Sequence, residues 1–331
     1  MTDVARRAGV SSATVSRVLA NKPHVRPEVR DRVWQAIKEL GYRPNRVARS
    51  LRAQRARIIG LIISDIQNPF FTSVVRAIED SAQQQGFSII LCNTDEDPQK
   101  EKFYLDLMYD ENVSGIIMCP ARETSALFAN YSPDSIPVVT LDRRLHNVDT
   151  DSILLDNVES AQKLVTHLIA NGFRRIGAVV GTSDFTTGRE RREGYLSALA
   201  AHDIPFEPEL LIQVQPKMQE GFDATSRLLD LPQPPQAIFA GNNLLTLGAL
   251  KAVRARGLRI PADIALAGFD EMPWNALVEP GITVIEQPTY ELGRTAAEVL
   301  LRRMENPTRP TREVVLKGRL IVRASSQRPT T

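Results

Sequence analysis

From Ile58 onward the chain alternates short, mostly apolar runs with longer stretches of amphipathic helical spacing, and this alternation restricts the possible folds more than any other feature. Ile58–Ile63, Ser88–Cys92, Gly115–Met118 and Ile136–Leu141 read as strands buried on both faces, as in a parallel sheet. The spacing between them predicts helices near 71–86, 98–111 and 123–130. A second series opens with a helix over 158–171. It continues with strands at Arg175–Val180, Ala237–Ala240 and Ile264–Ala267 and helices near 189–202, 219–229 and 243–256. Two successive β-α-β series predict an α/β body of two doubly wound parallel-sheet lobes, with ligand in the cleft outside the carboxyl ends of the strands. A helix over Tyr290–Met304 is expected to return to the first lobe, and strands at Glu313–Lys317 and Leu320–Arg323 to follow it.

The first 57 residues have a different character. They hold fourteen Lys/Arg against four Asp/Glu, a net charge of +10, so the rest of the chain carries −8. A basic head on an acidic body suits a polyanionic partner for the head alone. Val4, Ala5 and Ala8 form a short helical stripe, Gly9-Val10-Ser11 a tight turn, and Val15, Val18 and Leu19 a second stripe. Ser11 is placed to cap that second helix by accepting from the Thr14 amide. This is the layout of a helix-turn-helix, whose second helix lies in the DNA major groove and would present Ser12, Ala13, Thr14, Ser16 and Arg17. A third helix starts at Pro27, carries Val29, Val33, Ala36, Ile37 and Leu40, and stops at Gly41. The expected result is an all-α head of three short helices.

Pro44 to Arg57 joins the two parts. Val47, Ala48 and Leu51 mark one apolar stripe on a short, arginine-rich segment. A helix of fewer than about three turns is marginal alone, so this one should form only against a partner.

The run from Ala5 to Leu19, with Ile37-Lys-Glu-Leu-Gly-Tyr-Arg-Pro-Asn45 and Ala48-Arg-Ser-Leu51, resembles the head of the lactose-repressor/galactose-repressor (LacI/GalR) family of bacterial transcription regulators. The resemblance implies that Arg17 reads a guanine edge, that Thr14, Ser16 and Asn21 hold phosphates, and that Asn45, Ala48, Arg49 and Leu51 act from a hinge helix, with Leu51 as a minor-groove wedge. It further implies a homodimer on palindromic double-stranded operator DNA, with repression as the family default. Two departures are visible. Met1 stands where the family has an isoleucine several residues into the chain, which leaves open whether the native start lies upstream of Met1. Arg26 stands where a serine usually caps the third helix.

Polar or aromatic signals recur at six strand ends: Asp65 to Phe71, Leu141-Asp-Arg143, Gly188-Arg-Glu-Arg191, Ala240-Gly-Asn-Asn243, Gly268-Phe-Asp270 and Glu286-Gln-Pro288. The body from Ile58 to about Ser325 is similar to the periplasmic sugar-binding fold, and to ribose-binding proteins at the ligand positions. That similarity assigns effector binding to Asn68, Phe70, Phe71, Asp142, Arg143, Arg189, Asn242, Asp270 and Gln287. Phenylalanine faces suit the C–H side of a sugar ring, and carboxylates, amides and guanidinium groups suit its hydroxyls. Asn243 departs from the aspartate common at that place. The doublet Arg143-Arg144 leaves two effector classes open, a monosaccharide or a sugar acid, because arginine forks also suit planar oxyanions.

The sequence therefore predicts a helix-turn-helix domain over 1–44, a hinge helix and linker over 45–57, and an effector-binding and dimerisation body over 58–325, followed by a tail over 326–331. The first lobe is expected over about 58–156 and 288–319, the second over about 157–287 and 320–325. No apolar run of membrane-spanning length and no signal-peptide pattern is present, so a cytoplasmic protein is expected. Cys92 and Cys119 lack metal or redox spacing; no metal and no cofactor is expected. The enzyme motifs Gly-x-Gly-x-x-Gly, Gly-x-Ser-x-Gly and His-Glu-x-x-His are missing, and His24, His146, His167 and His202 lie away from the six loops. A competing reading, a sugar-binding sensor with no DNA role, explains the body and leaves the basic head without a purpose.

Overall fold

The computed structural model describes residues 1–19, 25–42, 57–123, 131 and 136–328, and the chain divides into two units, Met1–Ala56 and Arg57–Thr331. In the first unit α1 (Thr2–Ala8), α2 (Ser12–Leu19) and α3 (Pro27–Glu39) enclose a core of Val4, Ala5, Ala8, Val15, Val18, Val33, Ala36 and Ile37. Gly9 ends α1 in the left-handed conformation (φ 65°), which lets the chain reverse into α2 at no Cβ cost. Ser11 caps α2, its Oγ accepting from the Thr14 amide at 3.1 Å. Arg26 offers α3 no side-chain cap, and Pro27 sits at its first turn. Leu40, expected in the α3 stripe, is exposed because the helix ends at Glu39.

The second unit contains two six-stranded sheets of the same topology. The first has order β11-β5-β4-β3-β1-β2, formed by β1 (Ile58–Ile63), β2 (Ser88–Asn93), β3 (Gly115–Met118), β4 (Val138–Leu141), β5 (Asp151–Leu155) and β11 (Glu313–Leu316). The second has order β12-β10-β9-β8-β6-β7, formed by β6 (Ile176–Gly181), β7 (Leu211–Val214), β8 (Ala237–Ala240), β9 (Ala265–Phe269), β10 (Thr283–Glu286) and β12 (Arg319–Ile321). Pairing is parallel throughout, except that β12 runs antiparallel to β10. Each sheet has an apolar core on both faces. Helices α4 (Pro69–Gln84) and α11 (Thr289–Glu305) cover one face of the first sheet and α5 (Pro98–Asp110) the other; α6 (Asn157–Ala170) and α7 (Thr186–Ala200) face α8 (Met218–Leu229) and α9 (Asn243–Ala255) across the second. A one-turn helix, α10 (Pro273–Leu277), follows β9.

No strand is expected from the sequence at β5 or β7, and β10 is marked only by its polar end at Glu286. Asp-Ser-Ile-Leu-Leu and Thr-Val-Ile-Glu open or close on polar groups, and Leu-Ile-Gln-Val is a half-buried edge strand, so none shows a long apolar run. A helix is expected near 123–130; residues 124–130 lie outside the described residues.

The main chain passes between the lobes three times, after β5, after β10 and between β11 and β12. Asp156, at the first passage, accepts from Ser160 Oγ at 2.7 Å and from the Gly318 amide of the third at 2.8 Å. Asp156 thereby ties the first passage to the third. Among the described residues no helix is long and apolar enough to cross a membrane, and no group of His, Cys, Asp and Glu is arranged to hold a metal ion.

Candidate functional site: an interlobe cleft and the outer face of the second helix

The carboxyl ends of the two sheets face each other across a cavity lined from both lobes. After β1, Asn68 caps α4 by accepting from the Phe70 amide (3.0 Å), and Pro69 sets the first turn. That entry angle buries Phe70 and Phe71, whose rings meet edge to face at 5.0 Å. After β8, Asn242 caps α9 through the Leu245 amide (2.8 Å). The two lobes also repeat one aspartate. Asp142 follows β4 and Asp270 follows β9; both have positive φ (67° and 73°), and their amides donate to Ile153 O and Ile285 O on the adjacent strands. This left-handed turn, which short polar side chains tolerate, aims both carboxylates into the cleft.

Eight of the nine expected effector positions line the cavity: Asn68, Phe70, Phe71, Asp142, Arg143, Asn242, Asp270 and Gln287. Arg189 does not. It reaches Glu123 (2.9 Å) and the Ser183 carbonyl (3.2 Å) at the rim. The reason is the face that α7 buries: its inward stripe runs Thr186, Gly188, Arg191, Gly194, Tyr195. Arg189 lies two residues, about 200°, off that stripe, and Arg191 lies on it. Arg191 is 5% exposed, donates to Asn157 Oδ1 (2.9 Å) and Gly241 O (2.5 Å), and lies 4.1 Å over the Phe269 ring; burial lowers its pKa.

Other lining residues carried little or no sequence signal. Glu96 sits in the acidic run Asp95-Glu-Asp97, which reads as solvated surface, and Lys217 follows the unforeseen β7. Lys217 Nζ contacts Asp65 Oδ2 at 2.5 Å across the cleft. The departure at Asn243 has a visible consequence: its Nδ2 donates to Asn68 Oδ1 on the opposite lobe at 2.8 Å, while its amide donates to Asp270 Oδ2 at 3.0 Å. Arg144 is turned away from the cavity towards Glu190 and Glu313. Glu123 joins the lobes at the rim through Arg189 and Thr186 and also meets His146 at 2.9 Å.

Polar groups in the cavity are left wanting partners. Asp142 is largely buried, its side chain 11% exposed, and among the described residues its carboxylate has only the weak Cys119 thiol, at 3.9 Å, as a hydrogen-bond donor; desolvation raises its pKa to about 6. Arg143 Nε and Gln287 Oε1 are buried and have no hydrogen-bond partner among the described residues. Such groups are costly unless a bound molecule satisfies them.

In the head, the outer face of α2 exposes Ser12, Ala13 and Arg17, with Thr14 and Ser16 half-buried and Val15 and Val18 turned inward. Asn21, Asn45, Ala48, Arg49 and Leu51 lie outside the described residues.

A helix-turn-helix unit followed by two like lobes around a polar cleft defines a ligand-binding transcription regulator. Residues 1–45 match the family described as bacterial regulatory proteins of the lacI family, and residues 56–323 match the periplasmic binding proteins and sugar binding domain of the LacI family. The chain belongs to the LacI family. It is similar to the ribose operon repressor of Halalkalibacterium halodurans (35% identity, covering 98% of this chain and 96% of that one) and to the repressor PurR of Mannheimia succiniciproducens (32%, 98% and 97%). Among solved structures it resembles a Lac repressor dimer bound to operator and the anti-inducer ONPF (TM-score 0.86, 27% identity, 98% of each chain). It also resembles the transcriptional regulator CelR in complex with cellobiose (TM-score 0.74, 30% identity, 98% of each chain). These relatives are repressors and regulators, not enzymes, as the sequence predicted.

Proposed function

We propose that this chain is a homodimeric, operator-binding repressor of a carbohydrate operon, controlled by a neutral monosaccharide of the pentose or hexose class held between its lobes. The observation that carries the effector class is Asp142, a largely buried carboxylate short of donors, beside the Phe70–Phe71 pair and an Arg143 Nε that among the described residues has no hydrogen-bond partner. Vicinal hydroxyls donate to such a carboxylate and accept from such an N–H, while the apolar face of a sugar ring covers phenylalanine. A sugar acid is disfavoured because Arg143, Arg144 and Arg189 are each already paired with a carboxylate of the chain. The relative named for the ribose operon points the same way.

In this reading Ser12, Ala13, Thr14, Ser16, Arg17 and Asn21 face DNA, and Asn45 to Leu51 forms a hinge helix only when two chains lie side by side on the operator. Effector acts by favouring one lobe arrangement, and operator affinity follows through the difference in ligand affinity between the two arrangements. The test is fluorescence anisotropy of the full chain with duplex DNA from upstream of its own gene, with and without a panel of aldoses that calorimetry shows to bind. Salt-sensitive binding to one duplex, altered at least tenfold by one aldose, is expected. Operator affinity indifferent to every bound aldose would refute the control mechanism.

A further inference from the structure

We infer that Glu96 is the residue that makes the cleft selective for neutral ligands: it occupies the Arg143 fork that an anionic ligand would need. This rests on the preceding assignment of the cleft as a sugar site and adds the device by which one class of sugar derivative is refused.

The geometry is specific. Arg143 Nη1 and Nη2 each lie 2.6 Å from a Glu96 carboxylate oxygen, Nη1 also donates to Pro120 O at 3.0 Å, and the Phe185 ring covers the guanidinium at 4.0 Å. The end-on fork, the best seat for a carboxylate or phosphate, is therefore filled by the chain itself. What remains towards the ligand is Nε, which among the described residues has no hydrogen-bond partner and lies 3.9 Å from Asp142 Oδ2. A hydroxyl can accept from Nε and donate to Asp142 at once. A ligand carboxylate at the same place has no proton to give and stands beside the like charge of Asp142, with Glu96 already neutralising the arginine. Over the whole cavity Asp65, Glu96, Asp142 and Asp270 outnumber Arg143, Arg191 and Lys217 by one. Removing Glu96 reverses that balance to neutrality and frees a buried arginine.

The backbone supports a dedicated role. Asp95 and Glu96 both have positive φ (52° and 65°), an unfavourable conformation for consecutive non-glycine residues. Asn93 Nδ2 and Lys100 Nζ hold the Asp95 carboxylate (2.8 and 2.6 Å), and Asp97 caps α5 through the Gln99 amide (2.8 Å). These contacts fix the strained turn on both sides of Glu96 and point its carboxylate inward, whereas an ordinary turn would leave it in water.

The experiment is calorimetric titration of the full chain with ribose, xylose, glucose and galactose and with the aldonic acid of each, for the wild type, Glu96→Gln and Glu96→Asp, with thermal melting to establish that each variant folds. Wild type should favour a neutral aldose over its acid by on the order of a hundredfold, the scale of a buried like-charge conflict. Glu96→Gln should shrink that ratio at least tenfold by gaining affinity for the acid, and Glu96→Asp, which keeps the charge, should still refuse the acid. A folded Glu96→Gln with an unchanged ratio, or a Glu96→Asp that accepts the acid as well as Glu96→Gln does, overturns the proposal while leaving the sugar site standing. Wild type that binds no aldose overturns both.

Discussion

Replacing Arg191 and Arg189 by alanine, one at a time, separates the site as it is built from the site as its sequence suggests. Arg191 is buried, directed at the cavity, and fixed by Asn157, Gly241 and the Phe269 ring. A hydrogen bond from such a charged donor to a ligand hydroxyl contributes about 1.5–3 kcal/mol, so its loss should weaken effector binding about 10- to 150-fold. Arg191→Ala also strands Asn157 Oδ1 and Gly241 O, which should lower the melting temperature without effector. Arg189 is different: its side chain is 38% exposed and bridges to Glu123 at the rim, where such pairs contribute less than about 1 kcal/mol. Arg189→Ala should therefore weaken binding by no more than about fivefold. Calorimetry with the effector aldose reads both numbers, and circular dichroism shows whether each variant is folded. Arg191→Lys keeps the charge but not the planar fork and should fall between the two. A folded Arg191→Ala that binds effector as wild type does, or an Arg189→Ala that loses more than Arg191→Ala, would refute the assignment.

Three further outcomes are expected. Burial holds the Asp142 pKa at about 6 against an ordinary 3.8, so the native state grips this proton more tightly than the unfolded chain does and the group lowers stability as pH rises between those values. Above pH 6 the full cost, about 3 kcal/mol, is present. Asp142→Asn should raise the melting temperature of the unliganded protein at pH 7.5 far more than at pH 4, and should abolish effector binding; equal stabilisation at both pH values would contradict the burial argument. Gly194→Ala would place a Cβ 2.3 Å from Val158 O and 2.9 Å from the Gln162 amide on α6, forcing the α6–α7 pair apart at a cost of about 1–3 kcal/mol, seen as a lower urea midpoint. Leu51→Ala should weaken operator binding in a gel-shift assay while calorimetry shows effector affinity nearly intact, and undiminished operator affinity would remove its role as a wedge.

The sequence by itself determined the architecture and the chemistry of the chain. Charge partition, the two helical stripes around Gly9-Val10-Ser11 and the β-α alternation depend on local spacing, and local spacing decides which face of an element is buried. For the same reason the residue just past a buried strand is readable as a cleft residue, and Asn68, Asp142, Asn242, Asp270 and Gln287 all line the cavity. Tertiary structure decided what distance in sequence hides. The face that α7 packs on its sheet turned Arg191 in and Arg189 out, because two residues on a helix lie about 200° apart. Glu96 looked like solvent-facing charge until the fold set it against Arg143, 47 residues away, and Lys217 had no meaning before β7 carried it to Asp65. Pairing between charges is a property of three-dimensional neighbours. The sequence could name Asp142, Asp270 and Arg143 only as isolated residues and gave Glu96 and Lys217 no place in the cleft, and packing alone showed which charges cancel each other and which are left for a ligand.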